Sequence, residues 1–203
     1  MEQGRRLERS WGGRTADERR AERRHQLMDA AIRTYGAKGF RNSSVKAVCV
    51  AAGLTERYFY EWFENSEDML QQCFKLVSSE MISKVRDAAR NARGGKRERV
   101  RVALLTYLEH LKGNPPAARL FLVEMASISR ETDILVSKSL DEFGCLLLDV
   151  MGRRFLRDDL PPLLLKGVVG GGLYVTKAWI SNGYTEDINE VADTLLRLYL
   201  LVR

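Results

Sequence analysis

Proline is scarce and confined: the 203 residues hold four, Pro115, Pro116, Pro161 and Pro162. The rest of the chain is free of the residue that most strongly breaks helices. There are two histidines, His25 and His110, and three scattered cysteines, Cys49, Cys73 and Cys145. They form no C-x-x-C pair, which excludes a structural zinc site of ordinary spacing, and no metal or cofactor is expected. Cysteines so placed read as free thiols in a reducing compartment. Residues 1–24 are polar and arginine-rich, without the apolar stretch of a secretory signal. The most apolar run, Leu163 to Ile180, contains Lys166, Lys177 and four glycines. A membrane span needs about 20 predominantly apolar residues, so this run reads as a buried helix. A cytoplasmic protein without a membrane partner is the expectation. Nucleophile-elbow, Walker and zinc-protease motifs are missing, and two isolated histidines staff acid–base catalysis poorly. The chain is not expected to be an enzyme.

What is present is enough for a folded core: 45% apolar residues, with a 30% charged fraction of mixed sign and a net charge of +6. Alternating apolar and polar residues, the mark of half-buried strands, are absent, and the 3.6-residue period recurs throughout. The reading is all-α. Residues 1–16 form a flexible basic arm. A first helix runs from Asp17 to Gly39, with Leu27, Ala30, Ala31, Thr34 and Tyr35 on one face. Ser43 or Ser44 caps a second, with Val45, Val48, Cys49 and Ala52 inward, ended by Gly53. Thr55 caps a third, Glu56 to Phe63, and Asn65 a fourth, Ser66 to about Ala92. Beyond Gly94-Gly95 a fifth helix carries Val100, Ala103, Leu104, Tyr107, Leu108 and Leu111. Pro115 or Pro116 opens a sixth. The last three span Glu131 to Phe155, Pro162 to Ser181 and Asp187 to Val202.

The informative segment is GFRNSSVKAVCVAAGLTERYFYEWF, Gly39 to Phe63. It is a short helix, a glycine turn and a second short helix, the arrangement that places its second helix in a DNA major groove. Gly39-Phe40 after a helix, Ser43-Ser44-Val45, Ala52-Gly53-Leu54-Thr55, Phe59-Tyr60, Phe63 and then Asn65-Ser66-Glu67-Asp68 follow one another in order. The segment resembles the N-terminal domain of the tetracycline-repressor (TetR) family of bacterial transcriptional regulators.

That resemblance implies a three-helix helix-turn-helix domain, residues 17–65, followed by a helical ligand-binding and dimerisation domain, residues 66–203. Its partners would be a double-stranded DNA operator, a second copy of the chain and an unknown small-molecule effector. The most direct implied function is a ligand-released repressor. A helical enzyme or interaction module that keeps the motif as scaffold is the alternative. Ser43, Ser44 and Lys46 would face phosphate at a helix N-terminus. Thr55, Arg57 and Tyr58 lie in the first turn of the recognition helix, and Arg57 is suited to pair bidentately with guanine. Tyr60 occupies the place of a phosphate-binding tyrosine. Trp62 stands where histidine is common, with its indole N–H offered as the replacement donor. The match has departures. Ser66 replaces a frequent lysine, and Glu56 and Glu61 put carboxylates near the reading surface. The arginines of residues 5–24 are the compensating charge.

Residues 1–65 hold 13 basic and 9 acidic residues, and residues 66–203 hold 20 and 18. The excess is concentrated in the first part. Arg90 to Arg101 is a second basic run, read as a solvated loop. In the second part, Tyr107, Phe121, Glu124, Met125, Phe143 and Trp179 mix aromatic, flexible and polar character as ligand sites do. Each also fits plain core, and Glu124 fits a partner such as Arg119. Gly170-Gly171-Gly172 inside a helix fits either close approach at an interface or a bend beside a cavity. By resemblance, Gly171, Leu195, Leu196 and Tyr199 would lie at the interface between two subunits.

Overall fold

The computed structural model describes residues 15–126, 128–152 and 161–200. The expected arm, residues 1–14, and the turn around Asp158 lie outside the described residues, as do the ends of the expected seventh and ninth helices. Within them the chain is helical and no strand occurs.

Helix α1 (Ala16–Lys38) starts in a reciprocal capping box: Thr15 Oγ1 accepts from the Glu18 N–H, and the Glu18 carboxylate accepts from the Thr15 N–H. It stops at Gly39, with φ +87°, and a 3-10 turn (Phe40–Asn42) folds the Phe40 ring edge-on against Tyr35 at 5.3 Å. Helix α2 (Val45–Ala52) is capped by the Ser44 hydroxyl, which accepts from the Ala47 N–H. Gly53 ends α2 in the left-handed region, at φ +67°. There its N–H donates to the Val50 carbonyl and the Leu54 N–H to that of Cys49. A β-carbon is disfavoured in that conformation, so glycine fits the turn.

Helix α3 (Glu56–Tyr60) is shorter than its pattern suggests. Residues 61–62 form a turn that swings Phe63 under Phe59, with ring centroids 5.4 Å apart. Thr55 sits at the start of α3, but its side chain makes no cap bond. Both phenylalanines are enclosed with Leu27, Tyr35, Val48, Leu70 and Cys73 in one core. Each such ring stabilises the domain by about 1.5–3 kcal/mol.

Helix α4 (Ser66–Asn91), capped by Asn65, runs out of this small unit and packs on α5 (Lys96–Gly113) and α7 (Arg130–Met151). Between them lies α6 (Pro115–Arg119), which continues into a π-helical turn (Leu120–Glu124). Helices α8 (Pro162–Ser181) and α9 (Ile188–Leu200) complete the array, with α9 seated on α5 and α8.

Two expectations about the last helices are corrected. Leu195 and Leu196, assigned to a subunit interface, are 0% and 1% exposed within the single chain. They are core residues facing inward, and a residue enclosed by its own chain has no surface to offer a partner. Gly171 and Gly172 serve the same internal contact. A β-carbon at Gly171 would meet Leu198 at 3.3 Å, and one at Gly172 would lie 2.2 Å from the Tyr199 hydroxyl. The second correction concerns α8. It is long and apolar enough to cross a membrane by length and composition, yet much of it is open rather than buried. Leu163 and Tyr174 are 81% and 76% exposed, and Gly167 and Gly170 face open space.

Candidate nucleic-acid interface and regulatory cavity

The helix-turn-helix presents the expected residues unequally. Ser44 and Lys46 are exposed at the start of α2, where the first-turn amides have no intrahelical partner. The Ser43 hydroxyl is already committed, donating to the Gly39 carbonyl at 2.7 Å. On α3, Arg57 is 87% exposed and held only loosely by Glu61 at 3.8 Å, a contact of little energetic consequence at the surface. Thr55 is exposed and Tyr60 stands 60% exposed beside Phe59.

Tyr58 and Trp62 differ from expectation. Both are half-buried, with arginines of α1 lying on their rings. Arg23 sits 4.6 Å from the Tyr58 ring centre, and Arg20 and Arg24 sit 4.6 and 5.6 Å from that of Trp62. The Trp62 indole nitrogen is enclosed and has no hydrogen-bond partner, so its N–H cannot serve as the donor expected of it. The sequence signal for this cluster was available: residues 20, 23 and 24 are one helical face.

The six candidate cavity residues separate. Tyr107 and Phe143 line a small cavity of about 70 Å³ with Val85, Val169, Leu173 and Tyr199. Phe121 lines a neighbouring one of about 240 Å³ with Phe74 and Tyr174, and the two share Leu173. The rings join the two spaces: Phe74 stacks on Phe121 at 5.4 Å, Phe121 meets Phe143 at 5.6 Å, and Phe143 meets Tyr107 at 6.3 Å. Burial raises the Tyr107 phenol far above its ordinary range and pushes that of Tyr199 up to about 12, so both stay neutral. Thr176, fully buried next to Gly172, donates to the Gly172 carbonyl at 2.9 Å.

The other three are placed differently. Met125 is core and lines neither cavity. Trp179 is buried against α9, its indole N–H donating to the Glu186 carbonyl at 3.0 Å. Glu124 is structural: one oxygen accepts from Arg119 Nε at 2.9 Å and the other from the Phe40 N–H at 2.7 Å. It therefore bridges the π-helical turn and the end of α1. Sequence reasoning missed that contact because its partners are 84 residues apart. Among the described residues, no group of three or more His, Cys, Asp or Glu is placed to hold a metal.

The family model described as "Bacterial regulatory proteins, tetR family" matches residues 27–73, the helix-turn-helix and the start of α4. Residues 27–73 carry the helix-turn-helix domain of the TetR family. Among curated proteins, the chain is 20% identical to the fatty acid metabolism regulator protein of Bacillus subtilis over 178 residues, 85% of this chain and 91% of that one. Among solved structures it is similar to FadR of Bacillus subtilis in complex with stearoyl-CoA (TM-score 0.75, 19% identity, 86% of this chain and 96% of that one). FadR of Bacillus halodurans aligns with TM-score 0.76 and 19% identity over 88% and 94% of the two chains. A TetR-family regulator from Marinobacter aquaeolei gives TM-score 0.69 and 20% identity over 90% and 97%. The chain is a DNA-binding transcriptional regulator of the kind this family model describes.

Proposed function

We propose that this TetR regulator is a homodimeric repressor of the cytoplasm that an acyl-chain ligand, carried as a thioester, releases from a pseudo-palindromic operator. Residues 17–65 would form the DNA-reading unit and residues 66–203 the ligand-binding and dimerising one. The observation that carries this reading is the run of aromatic rings from Phe74 to Tyr107, which lines two adjoining apolar spaces in the second unit. The walls are mostly hydrocarbon and aromatic rings, the surroundings that a long alkyl chain requires, with Ser139 and Lys177 the polar side chains of the larger space. The similar Bacillus subtilis protein was solved with stearoyl-CoA, which favours that ligand class here. A cavity of about 70 Å³ is smaller than the roughly 300 Å³ of ordinary ligand sites. Entry of the chain would therefore part Phe121 and Phe143 and open the inner space into its neighbour.

The repression half rests on the exposed edge of α2 and α3. Arg57 would read a base, and Ser44, Lys46 and Tyr60 would meet phosphates, with Thr55 beside them. Two such surfaces entering successive major grooves would lie about 34 Å apart. The outer face of α8 is the surface available to bring two copies together. Leu163, Gly167, Gly170 and Tyr174 lie on it, and small residues permit close helix approach. A ligand that binds the released form better than the DNA-bound form shifts the population toward release.

A gel-shift on DNA flanking the encoding gene, titrated with saturated acyl-CoA thioesters of increasing length, tests this. Specific binding that long-chain thioesters abolish and free CoA does not is the expected outcome. Specific binding that no acyl thioester disturbs sinks the effector assignment and leaves the regulator. Affinity no higher than for bulk DNA sinks the operator itself.

A further inference from the structure

We infer that Arg20, Arg23 and Arg24 of α1, seated on the aromatic faces of Trp62 and Tyr58, form a phosphate-binding element that grips the DNA backbone beside the recognition helix. Arg20 is the contacting group, and Trp62 is a positioning residue that does not touch DNA through its own N–H. The inference rests on the DNA-binding reading and adds to it the source of backbone affinity.

The need for such a source is electrostatic. The recognition helix and its following turn, Glu56 to Phe63, carry one arginine and two glutamates, so this segment repels phosphate on balance. Duplex DNA is held chiefly by cations placed against its phosphates. The donor expected at position 62 is not available, because the indole nitrogen is enclosed and unpartnered. The Trp62 ring serves instead as a platform for the α1 arginines. Arg20 is exposed and lies 4.6 Å from the ring centre. A guanidinium attracted to the ring quadrupole spends its face on the ring. Its N–H groups lie in the guanidinium plane, which is the geometry that grips two phosphate oxygens at once.

Arg24 holds the platform in place. It lies 5.6 Å from the Trp62 ring centre and 5.9 Å from that of Phe63. Its Nη2 donates to Gln72 Oε1 at 2.6 Å, and Gln72 Nε2 donates in turn to the Asp68 carboxylate at 3.0 Å. Asp68 lies in the first turn of α4, where its N–H donates to the capping Asn65. The cluster is thus tied to three elements that meet at the DNA-facing end. Arg23 repeats the stack on Tyr58 one helical step away, at 4.6 Å. Of the three, Arg20 alone is exposed, which leaves it the cation free to meet a phosphate, and a base edge would need a side chain as open as Arg57.

The test uses the full chain and a 30-base-pair duplex of arbitrary sequence, so no operator need be known. Binding is followed by fluorescence anisotropy from about 0.05 to 0.2 M salt, where each phosphate contact contributes about 0.9 to the slope of log K against log salt. Arg20→Ala should lower the slope by about 0.9, so that the ratio of affinities at the two salts falls by about 3.5-fold. Trp62→Ala should lower it equally, because Arg20 loses its seat, and the double variant should lose no more than either single. Trp62→Phe, which keeps a ring, should retain the wild-type slope and secures the comparison if the alanine variant folds poorly. An unchanged slope in Arg20→Ala overturns the inference, as does a Trp62→Phe protein that keeps the slope but binds more weakly at every salt, which would make the uncharged indole N–H itself the contact. Wild-type protein that binds no duplex at all overturns the DNA-binding reading beneath it, a result distinguishable from either.

Discussion

Removing the Glu124 carboxylate should loosen the joint between the DNA-reading end and the rest of the molecule. Glu124 lies on the π-helical turn, a local geometry that often marks a functional site. The same turn puts Phe121 against the aromatic cavity on one side and the Glu124 carboxylate on the Phe40 N–H on the other. In Glu124→Ala two contacts vanish. A hydrogen bond to a charged acceptor contributes about 1.5–3 kcal/mol, and its loss leaves the part-buried Phe40 amide without a partner. The Arg119 pair has an arginine whose side chain is 48% exposed, so it adds at most about 1 kcal/mol. The sum is about 1.5–4 kcal/mol. Glu124→Gln keeps an acceptor for Phe40 and gives up the charge, so it should cost about half as much. Urea unfolding measures the stability, and amide exchange at Phe40 reports the joint itself. Exchange there should quicken in the alanine variant and change much less in the glutamine variant. A Glu124→Ala protein within about 0.5 kcal/mol of wild type, its Phe40 amide no faster, would refute the reasoning. If the joint also carries the ligand signal, Glu124→Ala will keep its DNA affinity and lose part of its release by acyl thioester.

Glycine substitutions on α8 should separate its two faces. Gly172→Ala places a methyl against the Tyr199 hydroxyl and should lower stability by about 1–3 kcal/mol as overpacking does, measured by urea unfolding; a neutral result would mean Tyr199 swings aside freely. At Gly170 a β-carbon meets nothing within 4 Å, so Gly170→Leu is expected to give a folded monomer by sedimentation, and a dimer of wild-type strength would move the interface elsewhere. Under native conditions iodoacetamide should label Cys145 alone, because Cys49 and Cys73 are enclosed and burial pushes the Cys73 thiol up to about 12; mass spectrometry showing labelled Cys73 would contradict the packing. His110 should make the fold acid-sensitive. Burial first, and then the Lys84 ammonium at 3.2 Å, hold its pKa below the ordinary 6.5. The unfolded chain therefore binds the proton more readily, and stability is full above about pH 6.5 and falls as the pH drops below it. His110→Gln should flatten that decline, and an unchanged profile between pH 7 and 5 would dismiss the effect.

How much was legible depended on how local the cause was. The starts of α2 and α4 follow from Ser44 and Asn65, whose side chains accept from amides three residues on. Gly53 marked its turn because a left-handed backbone conformation is nearly a property of the residue. The end of α3 was less legible: Phe59 and Phe63 have helical spacing, yet the chain leaves the helix after Tyr60 and reaches the same packing by a turn. In the second unit, apolarity marked the right residues without their partners. Leu195 and Leu196 had to be enclosed on more than one side, and their own α5 and α8 do this before any second subunit can. Tyr107 and Phe143 reached a cavity wall while Met125 became core, a distinction of position that residue type does not carry.

By itself, the sequence determined the helical class, the helix-turn-helix and its family, because caps, glycine turns and apolar periods act over a few residues. Tertiary structure alone decided what the surfaces do. It turned the Trp62 ring into a seat for arginines from α1, spent Glu124 on an amide 84 residues away, and left the outer face of α8 open while closing α9. Those outcomes depend on which helices meet and at what distance. That is settled by packing the whole core at once, so no short stretch of the chain contains the answer.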